Sequence, residues 1–338
     1  FDTKPPGGES LSEVCERVSE FYNEKLKIDI SNQENILIAA HGNSLRALLV
    51  VLGICDKKII ETVDIPTGKP FIINFENNKV VKYNYLQDYN FKGRQILDSR
   101  GNPTIEVDVL NGDKLLARES CPSGASTGTN EALELRDRKK EYFGKGVNKA
   151  IENLNLMNNL MYLDKEKMTN LKELDLNICK LDGTKLKKNL GGNTTTGLSY
   201  SFAAAGAEIL GMELFEYFNL IYKSKKDYKI PIPLVNILNG GKHAGGKLKI
   251  QEFMIMPKED MDFPEMLMNI CNVYHNLKKI LVNKYGLSAK NLGDEGGFAP
   301  QLNSPDEALN VLEEAIEYSG LEVGVDMFIA LDCAASEY

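Results

Sequence analysis

The sequence predicts a multidomain chain: α/β at its start, α+β in its middle, and the opening of a parallel α/β array at its end. Three patterns carry that reading. A strand, tight turn and helix follow one another over Asn35 to Leu52. Period-two alternation over Thr104 to Leu110 is followed by helical segments, and a rhythm of strands, glycine loops and helices begins after Pro231 and Pro233. A length of 338 residues at 43% apolar content gives two domains or three, each with material for a core.

The first segment opens with Pro5-Pro6-Gly7-Gly8, and Ser10 followed by Glu13 forms a capping box that starts a helix with Leu11, Val14, Val18, Phe21 and Tyr22 on its apolar face. Asn35 to Ala40 reads as a strand ending at His41-Gly42, and Ser44 to Leu52 as the helix after it. Pro70 to Phe75 and Lys79 to Tyr85 read as strands joined by a turn at Asn77-Asn78. Gln87 to Lys92 lacks periodicity, and a domain boundary is expected there.

Ile105, Val107 and Val109 alternate with Glu106 and Asp108, and Asn111-Gly112 turns the chain into Lys114 to Cys121, giving an antiparallel sheet with one wet face. Helices are predicted over about Glu131 to Asp137, Asn148 to Asn159 and Gly197 to Tyr222. After Pro233 about three strands of a parallel array remain, with a firm helix start at Ser304-Pro305-Asp306-Glu307, a stop at Gly320 and a last strand ending at Asp332. An eight-stranded barrel would need many more residues.

Composition excludes several functions. Forty Lys and Arg against 48 Asp and Glu leave a formal charge of -8 with no long basic block, which argues against nucleic-acid or anionic-membrane partners. The most apolar run, Ala47 to Cys55, is far short of the roughly 20 residues that cross a bilayer. A soluble, cytoplasmic protein is expected. Six cysteines, none close to another in sequence, form no CxxC pair or zinc knuckle, so reduced and mostly buried thiols are expected. The three histidines form no HExxH arrangement, which leaves carboxylates as the candidate ligands for a hard cation. The chain opens on Phe1 rather than Met and is expected to be incomplete at both ends.

Four places can carry chemistry. His41 enters a helix with the backbone N–H groups of Gly42 and Asn43 where the helix dipole favours an anion, so a phosphate fits there as well as a merely hydrogen-bonded turn histidine does. Ser123 to Gly128 is a run of small residues matching a hydrolase elbow in pattern, but it reads better as a hinged lid. Asn239 to Gly246 sets Lys242 and His243 among glycines, followed by Gln251-Glu252-Phe253-Met254. Gly293-Asp294-Glu295-Gly296-Gly297 holds two carboxylates in a glycine loop, and Asp332 ends a strand. Taken singly, each reads equally well as a turn or a cap.

In combination they are specific. PPGGESL from Pro5, AAHGNSLR from Ala39 and Pro66-Thr67-Gly68 resemble the C-terminal half of cofactor-dependent phosphoglycerate mutase, a histidine-phosphatase family, over residues 1–86. The run from Asp98 to Thr104, the Ser123 to Gly128 run, Glu131 to Asp137, Gln251 to Met254, Gly293 to Pro300 and Ala330 to Glu337 resemble the landmarks of enolase in family order. That resemblance implies an α+β domain over 91–228 and the start of an incomplete enolase-type (β/α) barrel over 229–338. The stretch from Asn189 to Thr196 is looser than the family pattern, and Lys242 stands where a small residue is expected.

The first resemblance makes His41 the second, supporting catalytic histidine, with Gly42 and Asn43 able to touch phosphate; the phosphoryl-carrying histidine is not in this chain. The second implies dehydration of 2-phosphoglycerate to phosphoenolpyruvate with two Mg²⁺ ions. The enolate-like intermediate needs divalent cations, and a carboxyl acting as acid near neutral pH needs a raised pKa. By resemblance Glu295 is the general acid and Glu252 supports it at both substrate and proton. His243 binds substrate, Ser126 ligates the second metal as the lid closes, and Asp332 is the first metal ligand. The lysine base and the remaining metal ligands are implied to lie beyond Asp332, so this chain alone is expected to hold metal weakly or not at all and to be inactive. A homodimer is implied by the family. The alternatives are a mutase with an incidental extension and an inert truncated product. All of these site roles require Ser126, His243, Glu252, Glu295 and Asp332 to face one cleft.

Overall fold

The computed structural model describes residues 1–124, 127–223, 228–245, 247–293 and 295–337, without the side chains of 242, 243 and 337. By its contacts the chain forms two compact units, one of 1–123 with 132–224 and the other of 124–131 with 225–338.

The first unit opens with α1 (Leu11–Phe21). Ser10 accepts from the Glu13 N–H and Glu13 accepts from the Ser10 N–H, so the predicted capping box is present. A π-turn leads into α2 (Lys27–Ser31), and α3 (Gly42–Val51) packs against α1. The strand expected over Asn35 to Ala40 does not form. Residues 34–41 carry no regular structure and Leu37 is 95% exposed, because no strand among the described residues lies alongside to pair with them. β1 (Phe71–Glu76) and β2 (Lys79–Tyr85) form the predicted hairpin, with Asn77 and Asn78 both at positive φ as a type I′ turn requires.

β3 (Tyr89–Leu97), β4 (Pro103–Asn111) and β5 (Lys114–Ser120) make an antiparallel sheet in that order. β3 begins inside the stretch read as aperiodic: its pairing with β4 outweighs the weak alternation of its own residues. Ile105, Val107 and Val109 face the core with no exposed surface. The opposite face is less wet than expected. Asp108 is buried there under two guanidinium groups, and hydrogen bonds from Arg118 and Arg94 hold its carboxyl well below the usual carboxylate range.

Helices α4 (Asn148–Leu160), α5 (Lys165–Met168), α6 (Leu171–Asp182), α7 (Gly192–Leu210) and α8 (Leu214–Tyr222) complete this unit. Two helix expectations need correction. The long helix over Gly197 to Tyr222 is two helices, broken where Gly211 adopts φ 67° and caps α7. Glu131 to Asp137 is not helical, because its backbone is bonded elsewhere. Leu133 N–H donates to Leu186 O, Leu133 O accepts from Gly192 N–H, Leu135 exchanges bonds with the Asn193 amide, and Asp137 N–H donates to Gly146 O.

In the second unit, β6 (Val235–Asn239), β7 (Glu252–Pro257) and β8 (Met327–Asp332) form one sheet. The expected parallel array is corrected, since both pairings are antiparallel. The link from β6 to β7 holds only the one-turn helix α9 (Gly241–Ala244), too short to carry the chain back for a parallel crossover. The link from β7 to β8 holds two long helices, α10 (Phe263–Tyr285) and α11 (Pro305–Tyr318), which return the chain to the end where β7 finished. α11 has the predicted cap, with Ser304 Oγ accepting from Glu307 N–H. All six cysteines are free thiols, but only Cys15, Cys55 and Cys121 are buried; Cys179, Cys271 and Cys333 are exposed, so the expectation of mostly buried thiols holds for half of them.

One packing contact ties the first unit's sheet to its helices. A Cβ on Gly93 would lie 2.5 Å from Leu154 Cδ1, so the glycine leaves room for that methyl against β3, where Leu154 is fully buried. Leu154→Ala is expected to destabilise this unit by about 2–5 kcal/mol with an unchanged denaturant slope, read by urea unfolding.

Candidate active site

The site of the second unit is built at one end of its sheet. Asn239 ends β6, Glu252 begins β7 and Asp332 ends β8, and the ladder places Glu252 between them, opposite Asn239 on one side and Asp332 on the other. Antiparallel pairing is what brings the start of one strand to the finish of its two neighbours.

The glycine loop carrying Glu295 is fastened to β6 by backbone bonds. Phe298 N–H donates to Ile237 O at 2.9 Å and Asn239 N–H donates to Phe298 O at 2.8 Å. Gly293 N–H donates to Gly297 O at 2.8 Å and closes the loop on itself. Gly297 lies so near the strand that a Cβ would fall 2.3 Å from Asn239 Oδ1 and 3.0 Å from Leu238 N. A side chain there would force the loop, and Glu295 with it, away from β6.

Glu252 and Glu295 are hydrogen-bonded to each other. Two carboxyl groups can bond only while one keeps its proton, so the contact with Glu295 favours the protonated form of Glu252. The Glu252 carboxyl is pushed up to about 7, first by burial, then by the hydrogen bond and charge of Glu295, with the Asp332 charge adding to the shift and a bond from Gln251 opposing it. Gln251 Nε2 donates to Glu252 Oε1 at 3.4 Å, and Asn236 Nδ2 donates to Glu295 Oε2 at 3.1 Å. Asp332 is exposed, and its Oδ1 accepts from Ala334 N–H at 2.9 Å. The side-chain oxygens of Asn236, Asn239 and Gln251 are buried without a hydrogen-bond partner among the described residues. They concentrate unmet demand for donors beside the carboxyl pair.

The structure thus brings together Glu252, Glu295 and Asp332. His243 lies in α9, which starts two residues after Asn239, and its side chain is outside the described set; Ser126 and Asp294 lie outside the described residues. His41, Gly42 and Asn43 belong to the first unit. His41 is the N-cap of α3, and its Nδ1 accepts the Asn43 N–H at 3.3 Å. The helix terminus offered to a phosphate is therefore capped by the histidine's own ring. Arg46 Nη1 donates to Asn43 Oδ1 at 3.0 Å and Arg46 Nε to Val63 O at 3.0 Å, fixing the first turn further.

Asn236 was missed from sequence. A signal for it existed, because two asparagines in a five-residue strand run against strand propensity.

Among the described residues no group of three or more His, Cys, Asp or Glu side chains is placed to hold a metal ion. The described carboxylates form no set of three around one point and Asp332 is a single exposed one, so the described donors do not fit a hexacoordinate hard cation. No helix among the described residues is long and apolar enough to cross a membrane.

Fold and site together define a multidomain α/β chain whose partial barrel gathers acid groups at its strand ends. The enolase N-terminal domain matches residues 89–218, the enolase C-terminal TIM barrel domain matches 227–338, and branch 1 of the histidine phosphatase superfamily matches 1–85. Among curated proteins the chain is similar to an enolase of Thermococcus gammatolerans, 45% identical over 72% of this chain and 56% of that one. It is similar also to an enolase of Thermococcus kodakarensis, at 45% over 74% and 56%, and to enolase B of Dictyostelium discoideum, at 46% over 74% and 55%. The chain belongs to the enolase family, with a histidine-phosphatase segment ahead of the enolase domains. It spans a little over half the length of these relatives.

The raised carboxyl gives a pH signature. The native state keeps a proton on Glu252 that the unfolded chain releases near the ordinary value of 4.5, so this contribution to stability is full below 4.5 and is lost as pH rises through about 7. Thermal melts in chelator are expected to show the second unit losing stability across that window. In Glu252→Gln the loss should be absent.

Proposed function

We propose that this chain is the enolase portion of a phosphoglycerate mutase–enolase fusion, and that the whole protein interconverts 2-phosphoglycerate and phosphoenolpyruvate. The observation supporting this most directly is the contact of the Glu252 and Glu295 carboxyls beside Asp332, which together with burial raises the proton affinity of Glu252. Expelling hydroxide near neutral pH requires a carboxyl that still holds its proton, and a second carboxyl in hydrogen-bond contact provides one.

In this reading the pair acts as a unit. Glu295, reached from the loop and steadied by the Asn236 amide, delivers the proton to the departing hydroxyl, and Glu252 returns one to it. Asn236 and Gln251 orient the two carboxyls. His243 and Ser126 are assigned to substrate and lid, and Asp332 to the metal, by family resemblance. The family uses Mg²⁺, but no step is derived through it because the described donors do not fit it. His41, Gly42 and Asn43 are assigned by resemblance to the mutase side. We place the domain limits at 1–86, 91–228 and 229–338, and the location in the cytoplasm.

The lysine base and the remaining acidic ligands are implied to lie beyond Asp332, so residues 1–338 are proposed to be inactive alone. Phosphoenolpyruvate formation from 2-phosphoglycerate, followed by absorbance with and without Mg²⁺, tests this. The expected result is no turnover and no saturable Mg²⁺ binding by calorimetry for these 338 residues, with turnover once the chain is extended to the relatives' length. Robust activity in the short form would contradict the assignment of the base. A homodimer is proposed on the same family grounds. Sedimentation equilibrium is expected to give twice the 37.7 kDa chain mass, and a monomer at micromolar concentration rejects it.

A further inference from the structure

Helix α4 carries two apolar stripes. Ala150, Leu154 and Met157 face the enolase-domain core, at the spacing of one helical face. Leu156 and Leu160, one turn apart on a different face, pack instead into a cluster with Leu49, Ile54, Cys55, Ile60 and Val63 of the phosphatase-like segment. A helix on the surface of a lone domain needs only the first stripe; the second calls for another partner.

Around that second stripe the contacts are specific. The rings of Tyr85 and Tyr162 meet edge to face at 5.6 Å, with Tyr85 2% exposed and its hydroxyl donating to Asp64 O at 3.0 Å. Lys69 Nζ lies 4.7 Å above the centre of the Tyr162 ring, and Lys167 Nζ bonds Asp64 Oδ2 at 2.9 Å. Gln87 clamps the chain after α4 from both sides: its Nε2 donates to Met161 O at 3.2 Å and its Oε1 accepts Leu163 N–H at 2.7 Å. An apolar centre with charged and aromatic groups around it is the anatomy of an evolved interface, not of two modules on a tether.

We infer that the second stripe of α4, with Tyr162, is a built docking surface whose partner is the phosphatase-like segment, so that residues 1–86 are a permanently docked module of the enolase N-terminal domain. The junction is then native architecture. Only residues 86–88 separate β2 from β3, and Gln87 among them belongs to the interface. This inference needs neither activity and stands apart from the proposed function.

The test uses the full chain with a protease site inserted after Leu86. After complete cleavage the two pieces should elute together in gel filtration, whereas the cleaved Leu160→Glu protein should elute as two. Separation of the unsubstituted pieces, or co-elution in Leu160→Glu, overturns the inference. Hydrogen exchange in β4 reports whether Leu160→Glu keeps its enolase-domain fold. If β4 protection is lost, uncleaved Tyr162→Ala decides: exchange in β1 and β2 should rise about tenfold or more with β4 unchanged, and no change in β1 and β2 overturns the inference.

Discussion

The contact between two carboxyl groups is the constraint from which the site follows. Two carboxyls brought into hydrogen-bond contact beside a third acidic group repel one another unless one stays neutral. Glu252 and Glu295 meet that condition because burial and mutual contact raise the proton affinity of Glu252. The arrangement exists only because β7 runs against both neighbours: were it parallel, Glu252 would lie at the far end of the sheet from Asn239 and Asp332. Strand direction is therefore a chemical determinant in this fold, and strand direction is set by what the links can hold.

That distinction separates what the sequence revealed from what it hid. Local punctuation was legible: the Ser10–Glu13 box, the Asn77-Asn78 turn and the Ser304 cap each satisfy backbone groups within a few residues, and each is present in the structure. Long-range choices were not. Glu131 to Asp137 has the composition of a helix, yet its N–H and C=O groups find partners as remote in sequence as Leu186, Gly192 and Asn193, so tertiary bonding overrides propensity. Asn35 to Ala40 has the composition of a strand but lacks a neighbour among the described residues. The parallel reading of the last sheet assumed that every link is a crossover, and neither link is.

The candidate site was legible through motifs for its charged members and not for its amides. Glu252, Glu295 and Asp332 stand out beside or within glycine loops and at a strand end, and the structure gathers them. Asn236 lies in a five-residue strand three residues before Asn239, where only the two asparagines depart from strand propensity. A register shift between Asn236 and Leu238 lets both asparagines serve the loop side of the sheet. Nothing in hydrophobic period announces a bulge. The same blindness hid the second stripe of α4, since Leu156 and Leu160 look like spare members of one amphipathic face until the first stripe is known to be complete.

The acid group's position is in the end encoded by residues that have no chemistry of their own. Glu295 projects from a loop held by the Asn239 and Phe298 backbones, and that seating tolerates no Cβ at Gly297. A substitution at Gly297 would leave every ionisable side chain intact and still separate Glu295 from Asn236 and Glu252, because the loop would have to lift before the strand could move. Burial raises the proton affinity of Glu252 first and the contact with Glu295 raises it further, so lifting the loop would weaken both causes at once. A glycine motif and a pair of carboxyl groups are thus one structural element, and the glycines decide whether the two carboxyls meet.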